Sequence, residues 1–210
     1  MTSLLKHPRT KAQRFLRKFK NNRDGVAAIE FALIAPVMLA MYLGLAEVSL
    51  LVMANRGVSH ATSVTADLVT QVQTADEDEI ENILDATFAV LELDYAQASR
   101  VKIDVASFEM DASDNVNEVG YASIGASFGT HYDPTAVSAT LLNQVSGLIV
   151  VRMEYEYHSP SREFVGTPTL TETFMLKPRK SATVPFENGG ITTIACSLVN
   201  SSPRPTTSCN

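Results

Sequence analysis

The sequence predicts an α+β protein in which a long N-terminal transmembrane helix continues into an external domain of helices packed on a small antiparallel sheet. Three observations predict this class. An apolar run covers residues 25–54, helical spacing of apolar residues persists beyond it, and strand-like alternation follows. After the leader and the span, roughly 155 residues remain, which suffices for one modest hydrophobic core.

The apolar run contains two charged side chains, Glu30 and Glu47, which are separated by 16 uncharged residues. A helix over residues 26–54 would be about 43 Å long. That length exceeds the ~30 Å hydrocarbon core of a bilayer. Since the two glutamates would lie about 26 Å apart along the axis, both can lie near the edges of the core. We therefore predict a transmembrane helix over residues 26–54.

The segment before the span sets its orientation. Eight of the 17 Lys and Arg residues lie in residues 1–24 beside one acid, whereas the rest of the chain carries nine bases and 22 acids. Cationic flanks stay cytoplasmic, so residues 1–25 are predicted to be a basic cytoplasmic leader and the acidic remainder to be external. A nucleic-acid-binding arm is the alternative. It is disfavoured because the basic block abuts a membrane span, so no nucleic acid partner is expected.

The junction of leader and span carries a specific pattern. Gly25 ends the leader, and a lone acid, Glu30, followed by Phe31, interrupts the first turns of the apolar helix. A carboxylate in a span costs about 2.5–3.5 kcal/mol at the bilayer centre and less near an edge, so such residues are usually functional. This junction resembles the leader and N-terminal helix of type IV prepilins. The string AAIEFALIAPVMLAMYLGLAEVSLL is similar to the TadE-like family, pseudopilins of the tight-adherence (Tad, or Flp) pilus system.

The resemblance implies roles for the matching residues. Gly25 would be the last leader residue, cut by a prepilin peptidase, and Val26 the new, N-methylated terminus. Glu30 would meet an N-terminal amine of its own or a neighbouring subunit, because opposite charges attract strongly in a low dielectric. The alternative is an uncleaved signal anchor whose Glu30 reaches the cytoplasmic interface. A secretory signal cut near residues 44–46 is disfavoured, because it would leave a greasy N-terminus.

Small residues at four-residue spacing predict close helix packing within the span. Ala28 and Ala32 form one pair, and Ala40 and Gly44 form a second. Between them, Pro36 removes one backbone donor and clashes with the carbonyl of Ala32, which predicts a kink.

Beyond the span, three regions are predicted. Residues 55–95 form a helical region, in which the long helix ends near Gln73 and a second helix starts with Thr74 as its cap. Residues 96–186 form an antiparallel β-rich domain, and residues 187–210 a tail that is mostly loop. The predicted strands cover residues 100–108, 116–128, 148–158 and 169–177, with a turn at 111–115 and a short helix at 134–142.

Residues 148–158 form the clearest of these strands and the best candidate for a central one. Apolar and aromatic side chains alternate with charged ones along it. The stripe is predicted to be core rather than a ligand site. Its members are Ile149, Val151, Met153, Tyr155 and Tyr157.

The tail holds the only two cysteines, Cys196 and Cys209. In an exported domain two cysteines predict one disulfide. The closed loop is short, so the bond would contribute about 3 kcal/mol in the chain-entropy model and hold the tail locally. A Cys-x-x-Cys redox site is absent, and no adjacent His or acid cluster completes a metal site.

The sequence offers little support for catalysis. The four histidines are scattered, and no nucleophile elbow, phosphate loop or zinc motif occurs. The acid run at residues 76–79 lacks calcium-loop spacing and is predicted to be a solvated helix start. We therefore expect no enzyme activity, no cofactor and no metal.

Taken with the resemblance, these features predict a minor pilin-like component of Tad/Flp type IV pilus assembly. It would cross the bacterial inner membrane once, with its N-terminus in the cytoplasm and its C-terminal domain in the periplasm or associated with the pilus surface. The expected partners are a prepilin peptidase, other pilin-like subunits and Tad secretion and assembly proteins. The alternatives are an uncleaved periplasmic scaffold and, less favoured, an anchored periplasmic enzyme or ligand-binding domain.

Overall fold

The computed structural model describes residues 25–125, 146–187 and 193–210. These form three helices and six strands, and the predicted α+β class is confirmed. The predicted helix at residues 134–142, the end of the predicted strand at 116–128 and residues 1–24 of the leader lie outside the described residues. In chain order the elements are α1 (Val26–Val69), α2 (Glu77–Leu91), α3 (Tyr95–Ala98), β1 (Val101–Met110), β2 (Val116–Ile124), β3 (Gly147–Glu156), β4 (Thr169–Leu176), β5 (Thr193–Val199) and β6 (Thr206–Cys209).

The first helix is one unbroken element of 44 residues. It continues through Pro36, through the predicted membrane boundary at Ala54 and through Gly57, and it ends at Val69, just before the predicted Gln73. Within the part of the chain that the structure describes, it is the one helix whose length and composition would allow it to cross a membrane. The chain divides into two compact units between Ala46 and Glu47.

The second unit, from Glu47 onward, contains the hydrophobic core. The second half of α1 buries one stripe at spacings of three and four, as its periodicity predicts. The hydroxyls of two threonines in that stripe donate hydrogen bonds to carbonyls of the helix backbone. Thr62 donates to the Val58 carbonyl at 2.7 Å, and Thr65 donates to the Ala61 carbonyl at 2.8 Å. The Thr65 hydroxyl also meets the Thr87 hydroxyl at 2.6 Å, which joins α1 to α2. The buried residues of the stripe are Val58, Ala61, Thr62, Thr65, Ala66 and Val69.

The start of α2 differs from the prediction. The cap is Asp76, whose carboxylate accepts from the Glu79 amide at 2.8 Å, and not Thr74. The physical reason is that the preceding residue, Ala75, is held extended by a parallel bridge to Phe186. The Ala75 amide donates to the Pro185 carbonyl at 3.0 Å. The chain is therefore free to turn into a helix only after Ala75.

The six strands form one sheet in the order β4-β3-β1-β2-β5-β6. Four neighbouring pairs are antiparallel, as predicted, but β2 and β5 run parallel, so the sheet is mixed and the antiparallel prediction is wrong at this pair. The reason is that β5 does not pair with β4, the strand before it in the chain. It is added instead beside β2, on the other side of the sheet. The strand predicted as central, β3, is internal and pairs with β1 and β4.

Both faces of β3 are buried over most of its length. The predicted stripe lies in the main core, where Ile149, Val151 and Met153 are 0% exposed. On the opposite face Leu148 and Val150 join a second, smaller cluster with Phe108. The prediction that the Met and Tyr stripe forms core is therefore confirmed.

The tail is more ordered than its composition predicts. Most of its described part, residues 193–210, forms β5 and β6, so the interpretation as mostly loop is wrong for these residues. Alternate residues of β5, Ile194 and Cys196, are buried, which gives this short segment a core face despite its Ser and Thr content. The predicted disulfide between Cys196 and Cys209 is present and joins directly opposed residues of the two strands.

Candidate functional site

The predicted processing junction coincides with the start of α1. The Gly25 carbonyl accepts from the Ile29 amide at 3.1 Å, so Gly25 closes the first helical turn and Val26 is the first helical residue. A Cβ added at Gly25 would meet nothing within 4 Å, and the backbone there does not adopt the left-handed conformation that favours glycine. Within the described residues, neither packing nor backbone geometry therefore requires a glycine at this position.

The other residues of the predicted motif lie on the open surface of α1. Glu30 is exposed, and Phe31 is 71% exposed. The small residues also lie on this helix, but they do not form one straight stripe. At about 100° per residue, the pair Ala28 and Ala32 lies about 120° around the helix from the pair Ala40 and Gly44. Their role in helix packing and the kink at Pro36 stay predictions.

The second acid of the apolar run, Glu47, has a different environment. It is only 6% exposed, because its carboxylate is enclosed by the loop between β3 and β4. The Ser159 hydroxyl donates to Oε2 at 2.7 Å, and the Ser161 hydroxyl donates to Oε1. The backbone amides of Ser161 and Val165 also donate to this carboxylate. We call residues 159–165 the serine nest.

The serine nest is held in shape by its own hydrogen bonds. The Arg162 amide donates to the Ser159 hydroxyl oxygen at 3.3 Å, and the Glu163 amide donates to the Ser161 hydroxyl oxygen at 3.2 Å. Each hydroxyl thus accepts from the loop and donates its own proton to Glu47. Arg162 takes up a left-handed backbone (φ 59°), which bends the loop back on itself. Four donors converge on one carboxylate, an arrangement that offsets the cost of burying it.

The surroundings of the serine nest belong to the second compact unit, from Glu47 onward. Leu51 and Ala54, which follow Glu47 on α1, pack against the main core. Tyr157 at the end of β3 is buried, and burial, followed by the charge of Glu47, raises the pKa of its phenol. From the sequence alone Glu47 is expected near a membrane edge, and these partners are not predicted. A usable signal was present, because Ser159 and Ser161 flank Pro160 directly after the clearest strand.

Other titratable side chains are held in separate groups. The Tyr121 hydroxyl donates to Asp104 at 2.5 Å, and burial, with that hydrogen bond, raises the pKa of the tyrosine. His158 lies between Arg100 and Glu156, and its hydrogen bond holds the pKa of the Glu156 carboxyl below its usual value. Among the described residues, no group of three or more His, Cys, Asp or Glu is arranged to hold a metal ion. The absence of catalysis stays a prediction.

The comparison with family models covers the helix that carries both glutamates. Residues 25–67 match the model described as TadE-like protein. The predicted TadE-like resemblance is confirmed over this segment. The TadE-like segment begins at Gly25, includes Glu30 and Glu47 and ends within the stripe that α1 buries in the core. No curated protein and no solved structure matches the chain.

Replacing Glu47 by Ala should release the serine nest. Four donors would lose their shared acceptor, and amide hydrogen exchange across residues 159–165 should rise towards the rate of an open loop. Glu47→Gln should give an intermediate rate, because an amide side chain keeps one acceptor oxygen and adds donors. Glu30→Ala is the matched control, since it removes an exposed carboxylate from the same helix. Unchanged exchange in Glu47→Ala would show that the loop does not depend on this carboxylate.

Proposed function

We propose that this protein is a minor pilin-like component of Tad/Flp pilus assembly, processed by a prepilin peptidase after Gly25. Before and after processing, α1 anchors it in the bacterial inner membrane, and the acidic external domain contacts other pilin-like subunits or Tad assembly proteins in the periplasm. The proposal rests on the TadE-like match at residues 25–67, which begins at the glycine of the Gly25–Phe31 motif.

The environment of Gly25 supports this proposal. Because a Cβ would meet nothing within 4 Å of Gly25, the fold itself tolerates alanine there. Since packing does not require this glycine, recognition by a peptidase gives a reason for its presence. Val26 is 50% exposed at the start of the helix, so the bond between these two residues is not covered by the described part of the chain.

Intact mass of the membrane-purified protein tests the proposal. With a co-expressed prepilin peptidase, we expect loss of residues 1–25 and addition of one methyl group to Val26. Gly25→Ala should block both changes and leave the full-length mass. Gly57→Ala is the matched control, because it replaces another open glycine of the same helix and should be processed like the wild type.

A full-length mass in every sample, while the peptidase cuts another substrate, would contradict processing. Cleavage of Gly25→Ala at the same bond would contradict the role of the glycine. In the first case the protein would be an uncleaved single-pass periplasmic scaffold. Its Glu30 would then be a carboxylate at the cytoplasmic edge of the membrane.

A further inference from the structure

The boundary between the two compact units is one peptide bond within α1, between Ala46 and Glu47. The segment from Val26 to Ala46 is about 31 Å long as a helix. That length matches the ~30 Å hydrocarbon core of a bilayer without residues 47–54. Glu47, the residue directly after this segment, takes its hydrogen bonds from the serine nest.

Apolar side chains are exposed both in the serine nest and on the stretch of α1 that follows Glu47. Phe164 is 52% exposed, although Ser161, three residues before it, and Val165, directly after it, both contact Glu47. Of the five exposed side chains at residues 48–54 of α1, four are also apolar, and the fifth is Ser49. Single exposed apolar residues are ordinary on protein surfaces, but the helix residues of this group follow the apolar segment 26–46 directly in the sequence. The helix residues in the group are Val48 (48% exposed), Leu50 (44%), Val52 (46%) and Met53 (68%).

We propose that the serine nest rests on the outer surface of the lipid bilayer, with Phe164 inserted among the phospholipid headgroups. Apolar side chains such as Phe are buried at the boundary of headgroups and acyl chains in interfacial segments. The neighbouring Arg162 is exposed, and its guanidinium can reach lipid phosphate groups while its stem lies along apolar surface. Glu47 then ends the membrane span, and the nest fixes the external domain against the membrane. This inference rests on the membrane anchorage in the proposed function, but not on leader processing.

A single tryptophan can test this contact, because the natural chain contains none. The full-length Phe164→Trp protein is reconstituted into phosphatidylcholine vesicles whose acyl chains carry bromine at a shallow or a deep position. We expect blue-shifted tryptophan emission, strong quenching by the shallow bromine and weak quenching by the deep one. This pattern is the signature of a side chain at the headgroup boundary.

The matched control is Ala112→Trp in the exposed turn between β1 and β2. That turn follows the Met110 end of β1, about 30 Å along the strand from Val101. Val101 pairs with Tyr155, near the start of the loop that carries the serine nest. The control tryptophan should therefore emit as in water and be quenched by neither bromine.

Alkaline carbonate extraction of the same vesicles separates the two ways in which the inference can fail. Release of the protein would overturn both the membrane anchor and this inference. Retention with water-like, unquenched emission from Phe164→Trp would overturn this inference alone. Blue-shifted emission that grows with protein density but is not quenched by either bromine would also overturn it, because the contact would then be with a second copy of the chain.

Discussion

Removing the disulfide between Cys196 and Cys209 is expected to lower the unfolding free energy of the unit from Glu47 onward by about 3 kcal/mol. The two cysteines are 13 positions apart and lie directly opposite each other on β5 and β6. In the unfolded chain the bond closes a short loop and so removes conformational freedom, which is the main source of stabilisation in the chain-entropy model. The double variant Cys196→Ala/Cys209→Ala isolates this contribution.

The variant should still fold, because α2 also holds β6. The Thr207 amide and hydroxyl donate to the Asp85 carboxylate at 2.6 and 2.7 Å, and the Cys209 amide donates to the Glu81 carboxylate at 3.3 Å. These carboxylates accept hydrogen bonds from amides of β6, the edge strand of the sheet. Unpaired amides on an edge strand could otherwise pair with a strand of another chain. The loss should therefore appear as a lower Tm rather than as an unfolded domain.

Thermal unfolding of the full chain in detergent, followed by circular dichroism, measures this loss. For a domain of this size, we expect Tm to fall by about 6–12 °C. Reductant should lower the Tm of the wild type to that of the double variant and leave the variant unchanged. A double variant with the wild-type Tm would contradict the prediction and would assign the stability of the tail to the α2 carboxylates alone.

The elements that the sequence predicts well are those whose evidence is local. The spacing of Val58, Ala61 and Thr65 indicates a helix face, and the alternation along β3 indicates a strand, because each pattern repeats within one element. The periodicity of a segment indicates which of its side chains are buried, but it does not indicate which other strand pairs with that segment. The parallel pairing of β2 with β5 could not be predicted for that reason, and β5 itself was hidden by the Ser and Thr content of the tail.

The two parts of the candidate site, the Gly25–Phe31 pattern and the serine nest, also differ in whether neighbouring residues reveal them. The Gly25–Phe31 pattern lies within two helical turns and could be recognised from adjacent residues. The serine nest could not, because Ser159 and Ser161 are 112 and 114 positions away from Glu47. Hydropathy assigns Glu47 to the apolar run because its neighbours are apolar. The hydrogen bonds that bury its carboxylate come from a loop whose position depends on the whole sheet.

The close packing of Gly120 in β2 leads to the second large expected effect, a loss of about 1–3 kcal/mol in Gly120→Ala. A Cβ at this position would lie 2.5 Å from Cγ and 2.6 Å from Cβ of Phe186. Phe186 is 2% exposed, and its bridge to Ala75 fixes its backbone, so the ring has little room to move aside. The added methyl group must therefore displace a packed aromatic side chain or bend the strand.

Gly57→Ala is the matched control for Gly120→Ala in urea unfolding of the full chain. Gly57 lies inside α1, and a Cβ there would meet nothing within 4 Å. Because alanine favours the helix over glycine, this variant should gain up to about 1 kcal/mol. The same substitution should thus change stability in opposite directions at the two positions.

The cause of the loss in Gly120→Ala can be isolated with Phe186→Gly, which removes both the Cβ and the Cγ that the new methyl group would meet. If the clash with the Phe186 side chain carries the cost, the double variant should lose less than the sum of the two single losses. Additive losses would instead place the strain in the backbone of β2, where the register shifts between Ser107 and Phe108 of the paired strand. If Gly120→Ala has the wild-type free energy of unfolding, Phe186 moves aside without loss of stability. Packing would then not explain the glycine at this position.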